Sequence, residues 1–268
     1  MSETAADLRR KIDSAGDLQS VVRTMKALAA SSIGQYEESV RALGDYTRAV
    51  ELGLSVSFRM SEPAAVPAKR NGRDDAGTVG AVVFGSDQGL VGRFNEVVAD
   101  HAIEALAGLG GRPRVWAVGE RVHARLADAG LPPVGLFAVP SSVKAITPLV
   151  GRILLESEAR PGGEGGDALH LFYNRHDVGP IFEPVGQRLL PLDEAWRSGI
   201  AGLRWPTVNL PEVLGGRVAT LRALIREYLF VSLFRACAES LASENASRLA
   251  AMERADRNID ELLETLHG

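Results

Sequence analysis

Apolar and small residues recur at steps of three and four near both ends of the chain, which is the spacing of one face of an α-helix. Near the N-terminus the series comprises Ala15, Leu18, Val22, Met25, Ala29, Ser32, Tyr36, Val40 and Leu43. Near the C-terminus it comprises Leu221, Leu224, Tyr228, Val231, Phe234, Ala238, Leu241, Asn245, Leu249, Met252, Ala255, Ile259, Leu262 and Leu266. These series predict one helix from Asp7 to Phe58 and another from Pro211 to Leu266.

The two predicted terminal helices are too long for a compact domain of this mass, since each reaches about 80 Å at a rise of about 1.5 Å per residue. They lie at opposite ends of the chain, so the simplest arrangement is an antiparallel coiled coil that projects from a globular head. Small residues in CAESLASENAS, 237–247, allow close backbone approach but remove the large side chains that stabilise an isolated coil. A hairpin packed on its own head and a shaft surrounded by another protein both remain open.

Between the helices, short apolar runs alternate with amphipathic segments, which predicts a mainly parallel sheet covered by helices. The predicted strands are TVGAVVFGS, RPRVWAVGE, GLFAVP and ALHLFYN, and PIFEPVGQRLLPL is typical of an edge hairpin because prolines interrupt it. The predicted fold class is therefore α/β, a Rossmann-like sheet domain inserted between the two helices of the coiled coil. The predicted divisions are an N-terminal helix over 1–60, a linker over 61–77, a head over 78–208 and a C-terminal helix over 209–268.

The first predicted strand ends in a glycine loop, GSDQGLVGRFN, at the place where dinucleotide-binding folds hold pyrophosphate. Its glycines have the spacing GxxxGxxG instead of GxGxxG, and no P-loop lysine follows. Asp87 and Glu96 bring negative charge to the turn, although Arg93 is able to contact an anion and Glu120 lies where a ribose-binding acid is expected. The favoured interpretation is a structural turn in which Asp87 or Asn95 bonds to the backbone. A small Rossmann-type nucleotide-binding protein is the alternative.

Composition argues against several classes of function. A net charge of −4 and 6% aromatic residues argue against a nucleic-acid partner. The single cysteine, Cys237, precludes an internal disulfide and a four-cysteine zinc site. Without HxxxH, HExxH or GxSxG spacings, we expect no metal ligands, no cofactor and no catalytic residues. The sequence shows neither a secretory signal nor a run of about 18 apolar residues, which predicts a soluble, cytoplasmic chain.

Three blocks of sequence, in the same order and spanning nearly the whole chain, resemble the gamma subunit of F-type ATP synthase. DLRRKIDSAGDLQSVVRTMKALAASSI, 7–33, is similar to that family's opening pattern IRxRIxSVxxTxKITxAMxMVAAxK. GSDQGLVGRFN, 85–95, resembles the family element SDRGLCGGFN. ESLASENASRLAAMERADRNIDELL, 239–263, resembles SExAARMxAMxxAxxNAxxLI.

The resemblance implies a non-catalytic subunit, the central rotor stalk, in a complex that couples H⁺ or Na⁺ translocation to ATP synthesis or hydrolysis. Its implied partners are the alpha and beta subunits of the catalytic hexamer, the epsilon subunit and the membrane ring of c subunits. The implied location is the cytoplasmic face of a bacterial or archaeal plasma membrane, peripheral to the bilayer. The resemblance implies no nucleotide bound by the chain itself. A coiled-coil scaffold that associates with itself is the alternative from another class.

The resemblance also indicates functional residues. Met25 aligns with a family methionine that lies where the rotor meets the moving lever of the beta subunit. The predicted rotor-to-hexamer interface comprises Arg23, Met25, Lys26, Glu244, Arg248 and Met252. The predicted head-loop motif comprises Asp87, Gly89, Leu90, Gly92 and Asn95.

The chain departs from the family pattern in three places. In the head loop, Gln88, Val91 and Arg93 replace the usual Arg, Cys and Gly, and the resemblance assigns no role to Arg93. SVVRTMKAL replaces KITKAMKMV, a divergence that more weakly resembles the alternative F-type ATPases, some of which transport sodium. The family segment RQxxITxELxEIxxGA, which forms the deepest tip of the shaft, has no counterpart after ELLETLHG, so either the sequence is cut short or the shaft is short and lacks the tip contacts.

Overall fold

The computed structural model describes residues 5–60, 78–158, 168–176, 182–209, 211–213 and 216–267, and the predicted linker over 61–77 lies outside these ranges. The helices are α1 (Ala5–Met60), α2 (Phe94–Ala107), α3 (Glu120–Asp128), α4 (Val143–Glu158), α5 (Glu194–Ala201) and α6 (Arg217–His267). The strands are β1 (Thr78–Phe84), β2 (Arg112–Val118), β3 (Gly135–Phe137), β4 (Ala168–His176) and β5 (Phe182–Leu190).

The two long helices, α1 and α6, pack against each other in antiparallel fashion along most of their lengths. Gln19, near the start of α1, donates a hydrogen bond to Asp260, near the end of α6. Farther along α1, the Tyr46 hydroxyl donates to the Glu227 carboxylate over 2.7 Å. The predicted antiparallel pair is therefore confirmed.

The buried positions of the coil follow a heptad. In α1 the most buried side chains at this interface are seven residues apart, at Ala15, Val22, Ala29 and Tyr36. A period of seven keeps one seam facing the partner helix, as in a left-handed coiled coil.

Two members of the predicted stripes do not lie in this seam. Leu18 is 55% exposed and Leu262 is 49% exposed. Leu263 packs into the coil core in place of Leu262. Steps of three and four place two apolar positions in each heptad and predict equal burial for them. Toward the free end of the coil only one of the two, the position of Ala15, Val22 and Ala29, is deeply buried.

The start of α6 also differs from the prediction. The predicted C-terminal helix begins at Pro211, but α6 begins at Arg217. Gly216, just before it, has a φ of +96°, a conformation that glycine adopts without steric cost. Proline fixes φ near a helical value, and this local preference alone does not start a helix.

The head, made of β1–β5 with α2–α5, contains a five-stranded sheet in the order β3-β2-β1-β4-β5. The first four strands in this order are parallel, and β5 pairs antiparallel with β4 at one edge. This confirms the Rossmann-like, mainly parallel sheet and the edge position of the proline-interrupted segment. Because β2 and β4 flank β1 on opposite sides, the strand order reverses between β1 and β4, which is a topological switch point.

Helices cover both faces of the sheet. On one face, Val79, Ala81 and Val83 of β1 pack in a cluster with α2 and α3. On the other face, Val82 and Phe84 pack in a cluster with α4 and α6. The alternation along β1 follows from the period of two in a strand, and burial on both faces explains its continuous apolar run.

The middle of α6 is enclosed between α1 and the sheet. Ala236, Cys237 and Ala238 are each 1% exposed or less. The Ser243 hydroxyl donates to the carbonyl oxygen of Asn174 in β4 over 2.9 Å. The small residues of this segment therefore allow α6 to approach both α1 and the sheet closely. Of the two arrangements left open by the sequence, a hairpin packed on its own head describes this part of the coil. Nearer its free end, α1 packs on α6 around Val22 and Met252, in a cluster to which the described residues of the head contribute no member.

Helix α5 is absent from the sequence prediction, because its eight residues are too few to display a helical period. The Asp193 carboxylate accepts a hydrogen bond from the backbone N–H of Trp196 over 2.8 Å and so caps the helix. The Trp196 indole packs edge-on against Phe58 and donates to the Tyr228 hydroxyl over 2.9 Å. This small helix thereby fixes the base of the coil to the head.

In the ranges that the structure describes, no helix combines the length and the apolarity needed to cross a membrane.

Candidate functional site

The predicted interface residues of α1 are ion-paired across the coil. Lys26 Nζ lies 2.8 Å from Asp256 Oδ2, and Arg23 Nε lies 3.4 Å from Asp256 Oδ1. Arg23 also approaches Asp260, with 3.8 Å between the guanidinium and the carboxylate. The hydrogen bond from Lys26 and its charge, with a smaller contribution from Arg23, lower the pKa of Asp256. These contacts fix the register of the two helices while leaving 59% of the Arg23 side chain exposed.

We expect the substitution Asp256→Asn to lower the urea midpoint of unfolding at pH 7. Because the pKa of Asp256 is lower in the folded state, its contribution is complete above the ordinary value of 3.8 and is lost as the pH falls below it. The difference between the variant and the parent protein should therefore shrink at pH 3. Asp17→Asn, at an exposed position of the same coil, is the control. Equal midpoints for Asp256→Asn and the parent protein at pH 7 would contradict the assignment.

The predicted methionines differ in exposure. Met252 is 2% exposed and lies in a buried cluster with Ala15, Val22 and Ile259. Met25 is half-buried and packs against the same cluster from its rim. Met252 therefore supports the coil from within, and Met25 has surface available to a partner.

Glu244 and Arg248 form a buried ion pair one helical turn apart. Their side chains are 7% and 12% exposed, and Arg248 Nη2 lies 2.6 Å from Glu244 Oε1. Burial raises the pKa of Glu244, the Arg248 guanidinium partly opposes that rise, and the negative charge of Asp87 adds to it. Within this chain, both residues lie in the interior, where α6 passes the head loop.

The projecting part of α1 carries a second apolar stripe, which lies beside the seam that packs on α6. Leu18, Val21 and Leu28 are 55%, 55% and 64% exposed. With half-buried Met25 between them, they follow steps of three, four and three, which places them on one face of the helix. We call these four residues the outer stripe. Leu18 and Met25 belong to the stripe predicted from the sequence, and Met25 also to the predicted rotor-to-hexamer interface. Val21 and Leu28 were not predicted, although the same spacing rule identifies them.

In the head loop, Asp87 and Asn95 bind backbone groups. Asn95 Oδ1 accepts from the backbone N–H of Ser86 over 2.9 Å, which confirms the predicted backbone bond. Asp87 reaches farther, since its two carboxylate oxygens accept from the backbone N–H groups of Glu120 over 3.0 Å and Val139 over 2.9 Å. Asp87 therefore caps α3 and ties the loop to the segments that follow β2 and β3.

The other motif residues provide backbone shape. Leu90 and Gly92 have φ values of +62° and +60°, in the left-handed region that glycine adopts most easily. A Cβ at Gly89 would have only Arg121 within 4 Å, whereas one at Gly85 would lie 2.4 Å from Val122 Cβ. The first glycine of the loop is thus required by close packing against α3.

A further close approach occurs where the loop meets the end of β2. Gly119 has a φ of +117°, and a Cβ there would lie 2.8 Å from backbone atoms of Ser86. Its N–H donates to the carbonyl oxygen of Phe137 over 2.9 Å. Sequence spacing does not identify this glycine, because the fold brings it against Ser86.

Among the described residues, no group of three His, Cys, Asp or Glu side chains is arranged to hold a metal ion. The Cys237 thiol is buried, and burial raises its pKa, which makes it a poor nucleophile. The Glu120 side chain is exposed, and the backbone N–H at the start of α3 is already bonded to Asp87. That N–H, at the helix after β2, is therefore not available to an anion.

Sequence comparison connects this architecture to known proteins. The sequence profile of the ATP synthase family matches residues 4–268. The chain is 28% identical over 266 residues to the ATP synthase gamma chain of Clavibacter sepedonicus, covering 96% of this chain and 87% of that one. It is 28% identical over 276 residues to the ATP synthase gamma chain of Parafrankia sp. (strain EAN1pec), covering 99% and 90%.

Structure comparison gives the same fold. A rotor chain of the Euglena gracilis mitochondrial ATP synthase matches with a TM-score of 0.63 and 17% identity, covering 97% of this chain and 93% of that one. A chain from the central stalk and c-ring of the Tetrahymena thermophila mitochondrial ATP synthase matches with a TM-score of 0.60 and 19% identity, covering 88% and 99%.

Proposed function

The chain belongs to the gamma-chain family of ATP synthase, and we propose that it is the central rotor stalk that couples ion translocation through a membrane ring to ATP synthesis or hydrolysis. Its proposed partners are the alpha and beta subunits of the catalytic hexamer around the coil, with the epsilon subunit and the ring of c subunits at the head. Its proposed location is the cytoplasmic face of the membrane, held there through the complex.

The outer stripe is the observation that carries this proposal. It lies on the projecting part of the coil, where α1 and α6 share a buried cluster to which the described residues of the head contribute no member. Leu18, Val21 and Leu28 expose more than half of their surface there. Burying a leucine side chain contributes about 1.5–3 kcal/mol, so this row favours enclosure by another protein. A sleeve formed by the hexamer matches a long, narrow coil with apolar side chains along one face.

The ion pairs of the coil are consistent with this role. Because Asp256 pairs with both Arg23 and Lys26, part of the positive charge of α1 is neutralised within the rotor itself. We expect Arg23, Met25 and Lys26 to contact the hexamer through their exposed surfaces. We expect Glu244 and Arg248 to act from inside, where α6 passes the head loop, and Met252 to act from inside the coil.

Co-purification with the cognate alpha and beta subunits tests the proposal. We expect the hexamer to retain the chain, and the substitution Leu28→Gln to raise the dissociation constant about tenfold or more, given the free energy of burying a leucine. Leu155→Gln is the matched control, because Leu155 lies on α4 of the head and is 67% exposed, compared with 64% for Leu28. Leucine and glutamine have similar helix propensities, so neither change should unfold its helix.

A complete hexamer that never retains this chain would refute the proposal. Equal losses of retention for Leu28→Gln and Leu155→Gln would refute the role of the outer stripe. Coupling requires a second measurement, in which the complex is reconstituted into vesicles and ATP-driven uptake of H⁺ or Na⁺ is recorded. We expect uptake only when the chain is present, and the ion that is moved identifies the branch of the family.

A further inference from the structure

A groove lies between the head loop and the distal part of α6. Its volume is about 420 Å³, and its walls include Gly92 and Arg93 of the loop and Ser247, Arg254 and Arg257 of α6. Pockets for small molecules have volumes of about 300–1,000 Å³, so the groove has the size of such a site. The Arg254 guanidinium reaches across it, since a Cβ at Gly92 would lie 3.9 Å from Arg254 Nη2.

The groove carries excess positive charge. Arg93, Arg254 and Arg257 line it, together with the single carboxylate of Glu253. In the part of the chain that the structure describes, none of the three guanidinium groups has a carboxylate within 4.0 Å. All three arginines are exposed, and guanidinium groups bind planar anions such as carboxylate or phosphate, so the groove is able to take an anionic ligand.

A buried hydroxyl gives independent support for a ligand. Ser247 lines the groove and is 5% exposed, and its Oγ has no hydrogen-bond partner among the described residues. A buried hydroxyl without a partner costs about 1–3 kcal/mol, and such groups are normally satisfied by protein, water or ligand. Ser247 is therefore available as a donor to an oxygen-rich ligand.

The position of the groove in the fold favours a phosphate. The loop after β1 and the start of β5 both border it, so it lies beyond the carboxyl ends of β1 and β4, where the strand order reverses. Ligands of open α/β sheets bind at this switch point. The carboxylate of Asp87 accepts hydrogen bonds from the backbone N–H groups of Glu120 and Val139, on the side of β1 away from the groove. It therefore adds no negative charge to the lining of the groove.

We propose that this groove binds a phosphate-bearing small molecule, with Arg93, Arg254 and Arg257 as its ligands and Ser247 as a further donor. In the sequence pattern shared with the family, Arg254 and Arg257 fall at positions that the pattern does not specify, and Arg93 replaces a glycine. The site is therefore a property of this chain in addition to its role in the stalk. The apolar walls formed by Val91 and Phe182 give room for a base beside the phosphates.

Calorimetric titration of the purified full chain tests the proposal, with pyrophosphate, ADP and adenosine as probes at constant ionic strength and without divalent cations. We expect saturable binding of pyrophosphate and ADP and none of adenosine. Arg254→Ala should raise the dissociation constant about tenfold or more, because a hydrogen-bonded charge pair is lost. Arg222→Ala, at an exposed position of the same helix outside the groove, should leave it unchanged.

Glu253→Gln separates binding from folding. Removing the negative charge of Glu253 from the groove should tighten pyrophosphate binding, and misfolding does not produce that effect. Equal affinities for ADP and pyrophosphate identify the phosphates as the recognised group, whereas tighter ADP binding identifies a nucleotide. The absence of saturable binding, or binding that is insensitive to Arg93→Ala, Arg254→Ala and Arg257→Ala, overturns the proposal. Loss of hexamer retention in these variants without phosphate binding also overturns it, since the groove is then a protein contact.

Discussion

Replacing Arg248 by methionine lowers the free energy of unfolding by about 3–5 kcal/mol, because it leaves the Glu244 carboxylate buried and uncompensated. Glu244 is 7% exposed at its side chain and pairs with Arg248 over 2.6 Å. Its second electrostatic neighbour, Asp87, is itself negative and cannot replace the arginine. Chemical denaturation monitored by circular dichroism measures the loss.

Two controls separate burial from the loss of an ion pair. Arg235 and Glu239 have the same spacing on the same helix, with 4.0 Å between their charged groups, but the Arg235 side chain is 45% exposed. Arg235→Met should therefore cost no more than about 1 kcal/mol. The double variant Glu244→Gln, Arg248→Met should recover most of the loss, because neither charge remains. A similar loss for both single arginine variants would contradict the argument.

The pH dependence of the Arg248→Met variant has a definite sign. Burial already raises the pKa of Glu244 above its ordinary value of 4.5, and removing the arginine raises that pKa further. A folded state that binds the proton more tightly than the unfolded state is favoured at low pH and loses this advantage as the pH rises through the folded pKa. The stability deficit of the variant should therefore be smaller at pH 5 than at pH 8.

Replacing Gly119 by alanine is expected to lower the free energy of unfolding by about 3 kcal/mol or more, because a strained backbone and a steric clash coincide. The new Cβ would meet backbone atoms of Ser86 at 2.8 Å, with φ at +117°. Backbone atoms cannot swing aside as a flexible side chain does, so the head loop must shift. Thermal unfolding followed by calorimetry measures the effect.

Gly130→Ala is the matched control for this substitution. Gly130 has a φ of +82°, but no neighbouring atom lies within 4 Å of the added Cβ. It should therefore show only the cost of a left-handed conformation, about 1–2 kcal/mol. Equal losses for the two variants would show that the contact with Ser86 has no effect.

The sequence predicts most of the architecture because the relevant signals are local. The heptad spacing of Ala15, Val22 and Ala29 and the continuous apolar run of β1 each report burial directly. The exposure of Leu18 is less predictable, because spacing identifies a helix face but not the depth to which a partner encloses it. Helix α5 is missed for a different reason, since its stability comes from the contacts of Trp196 with Phe58 and Tyr228.

The sites are predicted less completely, because long-range contacts assemble them. Asn95 bonds to the backbone within its own loop, as local turn chemistry predicts. Asp87 instead binds N–H groups 33 and 52 residues further along the chain. The groove brings Arg93 together with Arg254 and Arg257 only because α6 returns past the switch point. No local pattern contains that information.

The pairing of the first and last helices also determines when the chain is able to fold during synthesis. Helix α1 ends at Met60 and α6 begins at Arg217, so α1 emerges from the ribosome long before its partner. At about 5–20 residues per second, this interval lasts roughly 8–30 s. During it, the heptad face of α1 has no α6 to cover it, and one face of the sheet still lacks the helix that packs on it. The last helix therefore completes both cores at once, and until then the apolar faces of α1 and of the sheet are uncovered.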